Sequence, residues 1–266
     1  MTTPHPAVWK GEALHHTPTP GIRSTFRLLD RELPGQGWPR GTLIELLVNS
    51  MGIGEFRFLA PTLRTLTQSG QHVVLLTPPH LPYAHAFDAL GVDSSKILVV
   101  HAQQPVDRLW AVEQAMKSNA FGALITWLDE LPHDHPQHHA PAGLTRPDRI
   151  RRLQCAAQRT QGLVFAFRPF AAQHHPSPAP LRMLLLPRRY PELAVQIIKR
   201  RGPVMSAPID IAIPIPGAGL RPIQDHDAIV ATPRTPDHAV DRLRHSRSLP
   251  NPLSSSAATI GSSARQ

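Results

Sequence analysis

Short apolar runs alternate along the chain with segments whose apolar residues recur every three or four positions. The runs predict buried strands and the spaced patterns predict amphipathic helices. The predicted strands are residues 43–48, 72–77, 97–100, 123–128 and 163–167, and the predicted helices lie within 21–33, 56–69, 83–90, 106–120 and 145–160. Ser24 or Thr25 is the expected N-cap of the first helix, and Thr145 that of the last. This alternation indicates an α/β fold with a largely parallel sheet and flanking helices.

The last third of the chain has a different pattern of apolar and polar residues. Residues 181–186 and 194–199 read as two strands joined by the turn PRRYPE, which indicates a terminal hairpin at the end of the sheet. Beyond residue 202 the chain is rich in Pro, Ser and Arg, and only 209–215 resembles a strand. We therefore expect an N-terminal arm (1–21), a core domain (22–202) and a mostly disordered tail (203–266), with disorder from about residue 217.

Charge and cysteine usage narrow the class of protein. The 266 residues carry a net charge of +9, with a calculated isoelectric point near 10.9, which favours anionic partners, nucleic acid first and a membrane surface second. Cys155 is the single cysteine, so no disulfide framework is expected. No run approaches the roughly 18 apolar residues of a membrane helix, and the N-terminus lacks a signal-peptide core. We expect a cytoplasmic protein that does not insert into membranes.

The stretch TLIELLVNSMGIGEFRF, residues 42–58, has the form of a phosphate-binding loop. A strand, a glycine-containing turn and a helix are the context that the motif G-x-x-x-x-G-K-[ST] requires. That motif would place its first Gly at Asn49, its second at Gly54, its Lys at Glu55 and its hydroxyl residue at Phe56. Only Gly54 matches, and a carboxylate at Glu55 would repel phosphate. Asn49, Gly52, Gly54 and Glu55 therefore form at most a weak nucleotide site.

The order of elements and several motifs resemble the RecA-type ATPase core. The likeness is carried by Ser24-Thr25, Leu29-Asp30, GWPRG at 37–41, IEL at 44–46, PYA at 82–84 and LGVD at 90–93. It covers roughly residues 22–200 and implies a RecA-like P-loop core. Two further departures accompany it: the catalytic glutamate of that family would fall at Pro79, and its Walker B aspartate at Trp127, with Asp129 as a possible substitute.

Within that superfamily the chain resembles the ImuA family, which is related to the division inhibitor SulA. The motifs are VWK at 8–10, LPGQGWPRG at 33–41, GIGE at 52–55, SPAPLR at 177–182 and IKRRGP at 198–203. This resemblance implies an accessory protein of SOS-type, damage-induced mutagenesis, that is, translesion DNA synthesis. Its partners would be ImuB, an error-prone polymerase of the replicative III alpha type, and possibly RecA or single-stranded DNA.

Two alternatives stay open: a SulA-like inhibitor that binds the division protein FtsZ, and an active DNA-dependent ATPase. The altered P-loop positions predict no catalytic residue, no enzyme activity and no cofactor, although weak ATP binding is not excluded. The long basic C-terminal region is a feature that a small division inhibitor would not need.

Basic residues concentrate between Arg146 and Arg201, where twelve Arg or Lys face two acids, giving +10. Such residues bind phosphates without reading sequence, or bind an acidic protein, and both partners stay open. The candidate contact residues are Arg149, Arg152, Arg168, Arg182, Arg188, Arg189, Lys199, Arg200 and Arg201. His133, His135, His138 and His139 lie in a proline-containing polar segment that lacks the rigidity of a zinc site, so we expect no metal.

Overall fold

The computed structural model describes residues 20–102, 104–128, 147–203 and 205–217. The N-terminal arm up to residue 19, the Thr145 cap, Asp129, the four clustered histidines and the tail beyond residue 217 lie outside these ranges. The helices are α1 Arg27–Glu32, α2 Glu55–Gln68, α3 Ala84–Ala89, α4 Pro105–Ser118 and α5 Pro147–Ala157. The strands are β1 Leu43–Val48, β2 Val73–Leu76, β3 Ile97–Val100, β4 Ala123–Trp127, β5 Leu163–Pro169, β6 Leu181–Pro187, β7 Glu192–Lys199 and β8 Ile209–Ala212.

All eight strands join one sheet in the order β3-β2-β4-β5-β1-β6-β7-β8. The five pairings from β3 to β6 are parallel, and β6–β7 and β7–β8 are antiparallel. The predicted α/β class and the largely parallel sheet are therefore confirmed. The predicted hairpin forms as β6–β7, but β8 rather than β7 is the edge strand at that end of the sheet. Along the described chain, none of the helices has the length and apolar character that crossing a bilayer would need.

The two faces of the sheet carry separate apolar clusters. On β1, Ile44, Leu46 and Val48 pack with α1 and α2, whereas Leu43 packs with α4 and α5 on the opposite face. This division follows from the period of two along a strand, which sends successive side chains to opposite faces. Because both faces are covered, the central strands are buried along their whole length, which explains their continuous apolar runs.

The segment before β1 is fixed by a fully buried tryptophan. Trp38 packs edge-to-face against Phe58 of α2 and Phe165 of β5, with ring centroids 5.8 and 5.1 Å away. Its Nε1 donates a 2.9 Å hydrogen bond to Thr62 Oγ1. A Cβ on the neighbouring Gly37 would lie 2.6 Å from the Ile22 carbonyl oxygen, so this close backbone approach requires glycine. Part of the GWPRG motif at 37–41 therefore has a structural role.

The predicted cap of the first helix is wrong. Helix α1 begins at Arg27, and its N-cap Phe26 has no side-chain cap. Ser24 Oγ instead accepts from the Phe26 amide at 3.1 Å, and the Ser24 amide donates to Asp30 Oδ1 at 2.8 Å. Thr25 has a φ of +71°, which takes it out of the helical conformation. The polar residues therefore form a tight turn ahead of the helix rather than its cap.

The sequence predicts a core domain that ends at residue 202, but in the structure the core continues beyond that residue. Strand β8 pairs with β7, and Met205, Ile211 and Ile213 are buried in the α1–α2 face of the core. The segment after β8 also contacts α3, because the Gly217 amide donates a 3.2 Å hydrogen bond to the carbonyl oxygen of Ala89. The sequence indicated that 209–215 is strand-like, but its Pro-rich surroundings gave no sign that the strand pairs with β7 and packs on the core.

Replacing Ile211 by Ala should lower the free energy of unfolding by about 2–5 kcal/mol, because a buried side chain would be truncated. Ile215→Ala is the matched control, since Ile215 is 40% exposed whereas Ile211 is 4% exposed, and it should cost less than about 1 kcal/mol. Urea unfolding measures both. Equal losses for the two variants would contradict the assignment of β8 to the core.

Candidate functional site

In the loop between β1 and α2, two backbone amides donate hydrogen bonds to a carboxylate of the chain itself. The Gly52 amide lies 3.1 Å from both Glu55 carboxylate oxygens, and the Gly54 amide lies 3.1 Å from Oε2. Both glycines have positive φ, +86° and +104°, which turns their amides toward one point. Glu55 is also the first residue of α2, where a helix favours negative charge.

Glu55 therefore occupies the place that a bound anion would take. Amides that converge at a helix N-terminus make an anion site, and here the anion is a side chain that is only 5% exposed. The sequence predicted that Glu55 would repel phosphate, and the geometry adds that it uses the same donors. Asn49, by contrast, is exposed at the start of the loop, and the hydrogen bonds of the carboxylate within the described residues come from Gly52 and Gly54.

The position expected for the metal-binding hydroxyl is occupied by an aromatic ring. Phe56 lies 5.5 Å from Phe87, 5.7 Å from Trp127 and 6.5 Å from Phe167, measured between ring centroids. Trp127, at the end of β4, also stacks on Phe167 at 5.5 Å. Phe56 and Trp127, at the two motif positions expected to bring oxygen to a magnesium ion, thus carry rings that pack on each other, while Asp129 lies outside the described residues.

The loop is also covered by the segment that follows β8. Arg57 Nε donates to the Pro214 carbonyl oxygen at 2.5 Å, and its Nη2 donates to the Ile213 carbonyl oxygen at 3.2 Å. The guanidinium carbon lies 4.8 Å from the centroid of the Tyr190 ring, a cation–π distance. A Cβ on Gly54 would lie 2.3 Å from Ile213 Cδ1. The sequence pattern did not indicate the Arg57 contacts with Ile213 and Pro214, because these residues lie about 155 positions apart in the chain.

Pro79, in the segment after β2, stands at the position predicted for a catalytic glutamate, and its side chain has no carboxylate that could orient a water molecule. Across the described ranges, no group of three or more His, Cys, Asp or Glu side chains could hold a metal ion. The pKa of Asp93 is lowered by hydrogen bonds from the Ser95 side chain and amide, but Asp93 caps the short 3₁₀ helix Ser94–Lys96 and not the loop.

Two of the candidate basic residues are internal, which corrects the expectation that they contact DNA or a partner. Arg168 and Arg182 are 2% and 5% exposed and pair with the fully buried Glu45 at 3.0 and 2.6 Å. Ser177 Oγ donates to the same carboxylate at 2.6 Å. Arg182 Nη2 further donates to the Ala172 carbonyl oxygen at 2.7 Å. These two charges neutralise a buried acid and are not available at the surface.

The other candidate residues lie in separate places. On α5, Arg149 is half-buried and Arg152 pairs with Glu113 of α4 at 2.9 Å. Near the β6–β7 turn, Arg188 pairs with Asp210 at 3.0 Å and Arg189 is exposed.

A third group stands at the far end of β7. Lys199 Nζ donates to the Ser177 carbonyl oxygen at 2.6 Å, Arg200 pairs with Glu32 at 2.6 Å, and Arg201 is exposed. The eight residues of β7 separate the two ends of the hairpin by about 26 Å. The basic segment is thus divided into distinct patches rather than one face.

Comparison with protein-family models gave no match, and a search of curated proteins found none with significant similarity.

Glu45→Gln should destabilise the chain by about 3–5 kcal/mol, because it removes the buried negative charge to which the Arg168 and Arg182 guanidinium groups bind. Glu192→Gln, at the exposed first position of β7, makes the same chemical change on the surface and should cost less than about 1 kcal/mol. The midpoint of urea unfolding compares them. A loss no greater than that of the control would mean that the Glu45 carboxylate does not hold these arginines.

Glu55→Ala should uncover the Gly52 and Gly54 amides and allow weak binding of inorganic phosphate or ATP, which the wild-type chain should lack. We expect a stability cost of about 1 kcal/mol from the lost hydrogen bonds. Glu55→Gln is the control, since its amide oxygen can still accept from both glycines. Isothermal titration with phosphate measures the difference. Binding by the wild type as tight as by the Ala variant would refute occupation of the loop by Glu55.

Proposed function

We propose that this protein is a non-catalytic, RecA-like accessory protein of damage-induced mutagenesis that acts by holding partner proteins together. The observation that carries the non-catalytic part is the Glu55 carboxylate on the Gly52 and Gly54 amides. A phosphate group and this carboxylate would compete for the same donors. The chain would have to expel its own buried charge before a nucleotide could bind as in an ATPase.

Loss of the remaining catalytic groups supports the same conclusion. Phosphoryl transfer depends on positioned cations and metal ligands around the phosphates. Glu55 stands where the lysine is required, while Phe56 and Trp127 stand where magnesium ligands are required. These losses affect three separate elements, α2, β4 and the segment after β2, so no single substitution restores the site. We therefore propose that the loop is retained from an ATPase ancestor and serves the fold.

The RecA-like part of the proposal rests on the strand, glycine loop and helix formed by β1 and α2, and on the mostly parallel sheet around them. The role in translesion synthesis rests on the resemblance to the ImuA family described above. By that resemblance, the chain would work in the cytoplasm with ImuB, an error-prone polymerase of the replicative III alpha type, and RecA or single-stranded DNA. The exposed basic residues, Arg189 and Arg201 among them, are available to acidic or nucleic-acid partners.

Purified chain should not hydrolyse ATP, with or without single-stranded DNA, and should co-purify with ImuB. The Glu55→Ala variant should leave damage-induced mutation frequency nearly unchanged, because the loop carries no chemistry. DNA-stimulated ATP turnover would establish the ATPase alternative instead. Binding to FtsZ together with loss of FtsZ polymerisation, and no association with ImuB, would favour a SulA-like division inhibitor.

A further inference from the structure

A groove of about 1010 Å³ runs between α4 and α5, on the face of the sheet opposite α2. We call it the α4–α5 groove. The lining residues that matter here are Met116, Lys117, Arg151, Cys155, Ala156 and Arg159. The groove has the volume of a typical ligand or peptide site, and it lies away from the Glu55 loop.

The floor of the groove is apolar and continuous with the core. Met116 is buried in the cluster beneath α4 and α5, and Ala156 packs against the same cluster. Beside them Cys155 is exposed. An ion pair between Arg152 and Glu113 crosses from α5 to α4 at 2.9 Å. The two helices are thus connected side by side, with small or flexible apolar side chains between them.

The rim of the groove is positively charged. Its lining includes four basic side chains and two acids, Glu113 and Asp148. Glu113 is already paired with Arg152. Lys117, Arg151 and Arg159 form no ion pair with any other described residue. The charge left over on the rim is therefore available to acids from outside.

An exposed aromatic side chain extends the same face of α4. Trp110 is 62% exposed and lies three and seven positions before Glu113 and Lys117, a spacing that places the three on one side of a helix. Large aromatic residues of this kind are frequent anchors of protein interfaces. Trp110 is thus an apolar contact point next to the charged rim.

We propose that the α4–α5 groove binds an acidic amphipathic helix of a partner protein. The apolar stripe of that helix would cover Ala156, Pro176 and Pro178, lining residues that keep exposed surface. Acids beside the stripe would pair with Lys117, Arg151 and Arg159. A groove between two helices with an apolar floor is the receptor form of helix-in-groove recognition. A phosphate backbone would leave this floor uncovered, so the chemistry favours a peptide over nucleic acid.

The size of the partner follows from the length of the groove. Helix α5 has 11 residues, so a partner helix of about three turns would match it. The proposal concerns a surface separate from the Glu55 loop, and it stands whether or not the chain acts in mutagenesis.

Cys155 provides a local readout, because it is the only cysteine and it lines the groove. The full chain is treated with a thiol reagent in the presence of a synthetic peptide with leucines at helical spacing and glutamates beside them. This peptide should slow modification of Cys155 by about tenfold at saturation, since a covered thiol reacts slowly. A peptide of the same composition in scrambled order should not protect it.

Charge reversal tests the rim. Arg151→Glu with Arg159→Glu should weaken binding of the amphipathic peptide by about tenfold. Arg31→Glu with Arg64→Glu makes the same change of charge on α1 and α2, on the opposite face of the sheet, and should change binding by less than about twofold. Thermal unfolding checks that the variants fold. If the charge-reversal variant does not fold, the milder variant Arg151→Ala with Arg159→Ala provides the same comparison.

Three results would overturn the proposal. The first is equal protection of Cys155 by the amphipathic and scrambled peptides, and the second is no protection by either. The third is protection by oligothymidine but not by the acidic peptide, which would assign the groove to nucleic acid. Failure to associate with ImuB would leave the peptide result unaffected, so the two proposals fail separately.

Discussion

The fold depends on the neutralisation of one buried carboxylate at the centre of the sheet. Glu45 lies on β1 between Leu43 and Leu47, on the face that the strand shares with α5. A buried charge is tolerated only when paired and hydrogen-bonded, and Arg168, Arg182 and Ser177 supply those contacts from β5, β6 and the loop before β6. One ionic cluster therefore fixes the register of three adjacent strands and the position of the loop.

A second carboxylate follows the same rule at the end of β1. Glu55 would be costly as an unpaired, nearly buried anion, and the Gly52 and Gly54 amides satisfy it. In an ATPase these donors would be kept for phosphate. Here a local hydrogen-bond network and the aromatic contacts of Phe56 replace ligand and metal as the groups that complete the loop. The loop is thus completed by groups of the chain itself.

Agreement between sequence and structure was highest where local signals were strong. Strands β1 and β3 match the predicted ranges, because each is a continuous apolar run bounded by turn residues. The cap of α1 was wrong, since Ser24 bonds to its own turn and to Asp30. Strand β8 was assigned to the tail, because its pairing with β7 and its burial against the core are not encoded in composition. The strand, glycine-containing turn and helix over β1 and α2 were predicted from the residues, but the hydrogen bonds of the Glu55 carboxylate to the Gly52 and Gly54 amides were not.

By itself the sequence determined the α/β class, the order of the main elements and the absence of a lysine at position 55 and of a hydroxyl residue at position 56. These depend on periodicity and residue identity, which are local. Only the tertiary structure decided which charges are available. Arg168 and Arg182 are as basic as Arg189 and Arg201 in the sequence, yet the fold buries the first pair against Glu45 and exposes the second. The physical reason is that solvation of a charge depends on partners more than a hundred residues away.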